Sequence, residues 1–335
     1  MKLFKDGYLV DIHKQTAKIA DILVENGKIR QIGGNIKCDC EIVDLKGDYV
    51  IPSFVNNYCD SKKALENTYG VDADLEDAQK LLVIKNLRAG ANILNDRPMT
   101  LCDVAEKSEK ELEQISELSA KKKLFMKVGQ DLDELGAIDK HYGKTLSEVL
   151  EEFGFLDRKS VLVGGNCLEK DELRLLKNYE TQVVIVPNED ARLGRRATNL
   201  LTLKNLGFEV AIGSGEIAEI DFFAFMREIL QGQRTLFEDK NVLSEKEVFE
   251  MACNGKILGI ENELTEKCDA NFAVVKRCES LYENPVFDLI YTKCKKDVEM
   301  TIFRGEILQK NGEIFMQNLM QYDKIIEKIK SQTRR

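Results

Sequence analysis

Apolar and polar positions change period twice along the chain. Tyr8-Leu-Val-Asp-Ile and Asp21-Ile-Leu-Val-Glu alternate apolar with polar residues, and the second run ends at the turn sequence Glu25-Asn-Gly-Lys. That period of two predicts strands with one buried face. Glu41-Ile-Val-Asp-Leu then leads through Gly47-Asp48 into Tyr49-Val-Ile-Pro52. The texture returns over 268–316, in Asn271-Phe-Ala-Val-Val-Lys and Val298-Glu-Met-Thr-Ile-Phe, followed by the turn Arg304-Gly-Glu. Both ends of the chain therefore predict β structure.

Between them the period switches back and forth. Asp74 caps a helix to Arg88 that Gly90 stops, a strand follows at Ala91–Asn95, and a charged helix runs from Val104 to Lys122. Leu124–Val128, Ser160–Val163, Val183–Val186 and Glu209–Ile212 are short, mostly apolar runs of the kind buried in parallel sheets. Helices are predicted over Ala197–Leu206 and Ala218–Gly232. Two capping boxes, Thr145-Leu-Ser-Glu148 and Ser244-Glu-Lys-Glu247, open helices that stop at Gly154 and Gly255. Such alternation predicts an α/β fold, a TIM-like (β/α) barrel over 53–264. Residues 1–52 and 265–320 would pair into a composite β-sandwich domain, and 321–335 would form a C-terminal helix or tail. The 53–264 span sits near the lower bound of about 200 residues for an eightfold barrel, and roughly six strands can be placed in it. The barrel is expected to be shortened or incomplete.

Composition narrows the function. A net charge of -9 excludes a general nucleic-acid surface, because phosphate binding needs clustered Lys and Arg. The basic runs Lys121–Lys123 and Lys328–Arg335 read as helix ends that complement the dipole. The start, Met1-Lys-Leu-Phe-Lys-Asp, lacks the apolar run of a signal peptide, and no segment has the about 18–20 apolar residues that span a bilayer. A cytoplasmic protein with no membrane partner is expected, its nine cysteines reduced. There are two histidines, His13 and His141, which excludes any mechanism that needs a cluster of imidazoles. Both read as surface or packing residues, His141 in a linker.

At the motif level the chain resembles the amidohydrolase superfamily, in its chlorohydrolase and nucleoside-deaminase branch. The resemblance rests on Ala20-Asp-Ile-Leu-Val-Glu-Asn-Gly-Lys-Ile-Arg-Gln-Ile-Gly33 and Val50-Ile-Pro-Ser-Phe-Val-Asn56 at one end. At the other it rests on Met251-Ala-Cys-Asn-Gly-Lys-Ile-Leu-Gly259, Lys267-Cys-Asp-Ala-Asn-Phe-Ala-Val-Val275 and Asp297-Val-Glu-Met-Thr-Ile-Phe-Arg-Gly-Glu-Ile307. It implies a metal-dependent hydrolase or deaminase, with histidines and an aspartate at the C-terminal ends of barrel strands.

Those positions are changed here. The His-x-His pair falls on Tyr58 and Asp60, the next histidine on Lys127, and a following glutamate on Gln130. Two further histidines fall on Gly164 and Cys167, and the aspartate on Gly215. A catalytic zinc needs about three N, O or S ligands with one position open. The reading is a degenerate member, a pseudoenzyme with its metal site lost and no catalytic residues, retained as a binding or partner protein. A small-molecule ligand or a homo- or hetero-oligomeric partner would replace the substrate. The alternative is a hydrolase of non-peptide carbon–nitrogen bonds with a rebuilt zinc site using Asp60, Cys167 and Glu216, with Cys59 nearby; otherwise no cofactor is expected. A third arrangement pairs Lys127 with Asp60 or Glu216, an ion pair in place of the metal charge.

Other motifs carry less. Gly143-Lys-Thr145 fails as a phosphate loop because Ile138 stands at the first glycine position. Cys38-Asp-Cys40 lacks the second pair a zinc site needs. Gly213-Ser-Gly and Gly164-Gly-Asn166 could cradle an anion at barrel strand ends, but read rather as space left where ligands were lost.

Overall fold

The computed structural model describes residues 1–278, 281–316 and 326–327. The N-terminal strands are β1 (Lys2–Asp11), β2 (Thr16–Glu25), β3 (Lys28–Gly33), β4 (Glu41–Asp44) and β5 (Tyr49–Pro52). The central part begins with β6 (Phe54–Cys59), α1 (Ser61–Tyr69), α2 (Leu75–Arg88), β7 (Ala91–Asp96), β8 (Thr100–Leu101) and α3 (Glu109–Ser119). It continues with β9 (Phe125–Val128), α4 (Leu132–Tyr142), α5 (Leu146–Glu152), β10 (Val161–Gly164), α6 (Lys170–Asn178) and β11 (Gln182–Ile185). Then come α7 (Pro187–Arg192), α8 (Leu200–Asn205), β12 (Val210–Ile212), α9 (Phe222–Phe237) and α10 (Glu245–Cys253). The chain returns through β13 (Phe272–Val275), α11 (Pro285–Thr292), β14 (Val298–Phe303), β15 (Glu306–Lys310) and β16 (Glu313–Ile314).

The two ends share one ladder. β5 pairs in parallel with β1 and antiparallel with β13, so the terminal strands run β16-β15-β14-β13-β5-β1-β2-β3, with β4 on β1. A sandwich of two facing sheets was expected, whereas the hydrogen bonding is continuous among the described residues. Alternation along the central strands explains its two contacts. Val50, Phe272 and Val274 join the sheet's own core with Phe4, Ile22 and Ile302. Tyr49, Ile51, Ala273 and Val275 face the other way, into the main core.

The strands of the central part are parallel. β8 to β12 lie side by side in sequence order, and β6 pairs with β7. A parallel bridge between Cys59 and Gly215 joins β6 to the end of β12. On the opposite flank only Arg97-Pro-Met99 separates β7 from β8. Gly213 permits the first junction, since a Cβ there would press on the Tyr58 backbone. Period two again sorts the side chains. Phe125, Val161, Val163, Val184, Val186 and Ala211 form one interior cluster with Tyr58 and Ile257. Met126, Leu162, Val183, Ile185 and Ile212 face the helices. Lys127, two residues after Phe125, consequently points inward.

Several local expectations change. The charged helix from Val104 is broken into a 3₁₀ turn, Val104–Glu106, and α3, because Ser108 and Glu111 form a capping box of their own. The helices expected from Ala197 and Ala218 start later, at caps supplied by Asn199 and Asp221. His141 lies in the last turn of α4, not in a linker. Cys38 and Cys40 are bonded to each other, where reduced thiols were expected. The tail at 321–335, with its basic run, lies outside the described residues except for 326–327. No helix among the described residues is long and apolar enough to cross a membrane.

Candidate functional site

The ends of β9, β11 and β12 bring three charged groups together. Lys127 Nζ lies 2.8 Å from Glu189 Oε1 and 2.7 Å from Glu216 Oε1. The side chains of Lys127 and Glu189 are 7% and 1% exposed, so this is a buried cation between two carboxylates. Glu189 owes its place to Val186-Pro187: proline at the first helical position turns β11 directly into α7, whose first turn carries Glu189. Its Oε1 is also 2.9 Å from Arg195 Nη1, and its Oε2 accepts the Glu216 backbone N–H at 2.7 Å. Lys63, from α1, donates to Glu216 at 3.1 Å on the exposed side.

Buried ions persist only when paired and hydrogen-bonded. Burial raises the Glu216 carboxyl, but Lys127 and Lys63 outweigh it and hold the group below its ordinary value. Asp190, the next residue after Glu189, goes the other way. Burial first, with the Glu189 charge in support, pushes it up to about 7 against Asn166, Arg195 and Lys127. Its Oδ1 has no hydrogen-bond partner among the described residues. Burial likewise keeps the Tyr58 phenol above its usual value, with Glu216, Glu189 and Asp60 adding to the effect.

The structure separates the residues singled out from the sequence. Tyr58 stacks on Phe125 at 5.9 Å. Asp60 caps α1, accepting the Lys63 N–H at 3.0 Å, and lies 3.7 Å from Arg97 Nε. Cys167 is buried, with Sγ 3.7 Å from the Gln130 carbonyl. Gly164 has φ +85, and a Cβ there would crowd Gln130 Nε2. Gly215 has φ +65, and a Cβ there would collide with Glu189 Oε2. Of the proposed surrogate ligands only Glu216 joins the cluster. No group of three His, Cys, Asp or Glu side chains converges as a metal site would require, among the described residues. His13 pairs with Glu250 at 2.8 Å on the terminal sheet's side.

The residues present do not fit the zinc that the resemblance implies. Position 215 offers no donor, the space beside it holds Glu189 Oε2, and an ammonium sits between the two carboxylates. A groove of about 1140 Å³ lies elsewhere, between the end of β1 and α10, and none of the three clustered residues lines it.

Glu189, Asp190, Arg195 and Lys63 escaped the sequence reading. Glu189 lies three residues beyond the run Val183–Val186, so the only sequence signal for it is its place just after a strand end. The resemblance places no ligand there.

Comparison with known proteins sets this geometry in context. Residues 61–308 match the amidohydrolase family. A 5-methylthioadenosine/S-adenosylhomocysteine deaminase of Bacillus cytotoxicus is 26% identical over 192 residues, 54% of this chain and 44% of that protein. The chain thus spans under half the length of that relative, and 48% of its Pyrococcus furiosus counterpart. The protein of the same name from Thermococcus onnurineus is 23% identical across 93% of this chain and 95% of its own length. Among solved structures, an adenosine deaminase from Xanthomonas campestris with bound zinc has a TM-score of 0.84 at 14% identity, covering 99% of this chain and 98% of that one. An atrazine chlorohydrolase from Arthrobacter aurescens, complexed with zinc, gives 0.82 at 14% identity, covering 99% and 100%. At such identities the structures speak to the fold: α/β, with TIM-barrel-like neighbours. The relatives correct one expectation. A degenerate chain kept only for binding does not stand beside relatives that are named as deaminases, which point to a hydrolytic enzyme.

Proposed function

This chain belongs to the amidohydrolase family, and we propose that it hydrolyses a carbon–nitrogen bond in an amine-bearing heterocycle of the aminopurine nucleoside class. The seven parallel strands are read as a shortened (β/α) barrel, with the reaction at their C-terminal ends. One observation carries the proposal: Lys127, Glu189 and Glu216 form a buried charge cluster at three of those ends. A cluster of charged side chains held at barrel-strand ends is a common setting for functional chemistry, and that placement supports the reading. The substrate class comes from the names of the relatives.

Hydrolysis at such a bond needs a proton acceptor for water, a positive charge for the anion that develops, and a donor for the departing nitrogen. In this reading Glu216 takes the proton as water adds to carbon and returns it to the nitrogen. A C–O bond forms, the C–N bond breaks, and ammonia leaves. Lys127 stabilises the anionic intermediate, and Glu189, anchored by Arg195, positions Lys127. No step runs through a metal.

The test is ammonia release from adenosine-type nucleosides and related aminoheterocycles, using the full chain. Turnover above the buffer blank for at least one of them is expected. Release no faster than the blank across the whole panel overturns the proposal.

A further inference from the structure

The misfit between this site and a metal points to a specific replacement. We infer that Lys127 is the resident cation of the site: its ammonium fills a seat between Glu189 and Glu216 that would otherwise take a divalent metal ion. This concerns how charge is held, and it stands whichever bond the protein cleaves.

Three observations support it. The first is contact: Lys127 Nζ reaches both carboxylates, from different strand ends, within 2.8 Å. The second is an exchange of carboxylates. A side chain at 215 would enter the space taken by Glu189 Oε2, so Glu189 can occupy this position only with glycine at 215. The third is charge. Lys127, Lys63 and Arg195 face Glu189, Glu216 and Asp190, and Asp190 has no direct ammonium partner. A divalent ion entering between the two glutamates would meet the Lys127 ammonium at close range.

Removing the ammonium should therefore open a cation seat. K127A leaves two carboxylates, and K127H adds a neutral imidazole donor beside them. Divalent manganese is the probe, because it favours the two carboxylates while the cysteines compete for zinc. Bound metal is measured by elemental analysis after dialysis, and the thermal midpoint with and without manganese. Wild type should hold below about 0.1 manganese per chain, with a midpoint that manganese leaves unmoved, and K127H about one per chain. The K127H midpoint should rise by about 4 °C or more with saturating manganese, and K127A should show a smaller rise from a lowered start. If K127H folds only when manganese is present, that too supports the inference; if it folds in neither condition, K127A decides. Near one manganese per wild-type chain, or none taken up by either folded variant, overturns it.

Discussion

Lys127 and its partners show how one charged side chain organises a buried neighbourhood. A lysine at the end of a buried strand must find carboxylates or lose its charge. Glu216 supplies one, in line with the pairing expected from the sequence. The second anchor, Glu189, lies near a strand end where the resemblance places no ligand, and its fit beside Gly215 shows only in the side-chain packing. Asp190 gives this scale its test. Its carboxyl is held up to about 7, from an ordinary value of 3.8. Between those values the native state binds more protons than the unfolded chain, so stability falls as pH rises, and the deficit persists above about 7. D190N removes that slope. Urea unfolding should show the D190N-minus-wild-type difference to be more favourable at pH 8 than at pH 5, by about 2 kcal/mol. Equal differences at the two pH values would remove Asp190 from the account. Glu216 carries the opposite sign: its depressed carboxyl contributes stability above the unfolded value, lost as pH falls through the folded one.

At the scale of the element, local chemistry is legible where a side chain both starts and satisfies a helix. The boxes at Thr145 and Ser244 open α5 and α10 at the expected residues. Ser108 makes the same box inside a charged run, where the pattern continues on both sides, and so reads as mid-helix. β8 has two residues and no period to detect. α10 matters to the whole because it carries Phe249 against Phe54, whose ring also stacks on Phe222 at 5.0 Å. S244A should cost about 1 kcal/mol in urea unfolding, with the denaturant slope unchanged. A loss under about 0.2 kcal/mol would show that tertiary packing alone holds that helix end.

The whole molecule joins strands far apart in sequence. Alternation at both ends predicted β structure there, and the ladder of β1, β5 and β13 unites them. A sandwich was expected because alternation reports one buried face and says nothing of which strands pair. The parallel alternation in the middle was legible from short apolar strands, but the Cys59–Gly215 junction was not, since it rests on one bridge and a glycine. Function was misread for a related reason. That expectation was drawn from the ligand positions alone, whereas Glu189 and Asp190 lie at a strand end where the resemblance places no ligand.

If the Lys127–Glu189–Glu216 cluster performs the proposed hydrolysis, turnover depends on its charges. The most direct measurement compares steady-state ammonia release by wild type, E216Q and K127M on the substrate that turns over fastest, with folding checked by circular dichroism. The account predicts that kcat falls in each variant by about 10²-fold or more, while the fold is retained. Turnover within about twofold of wild type in either folded variant would contradict it, and would place the chemistry elsewhere in the molecule.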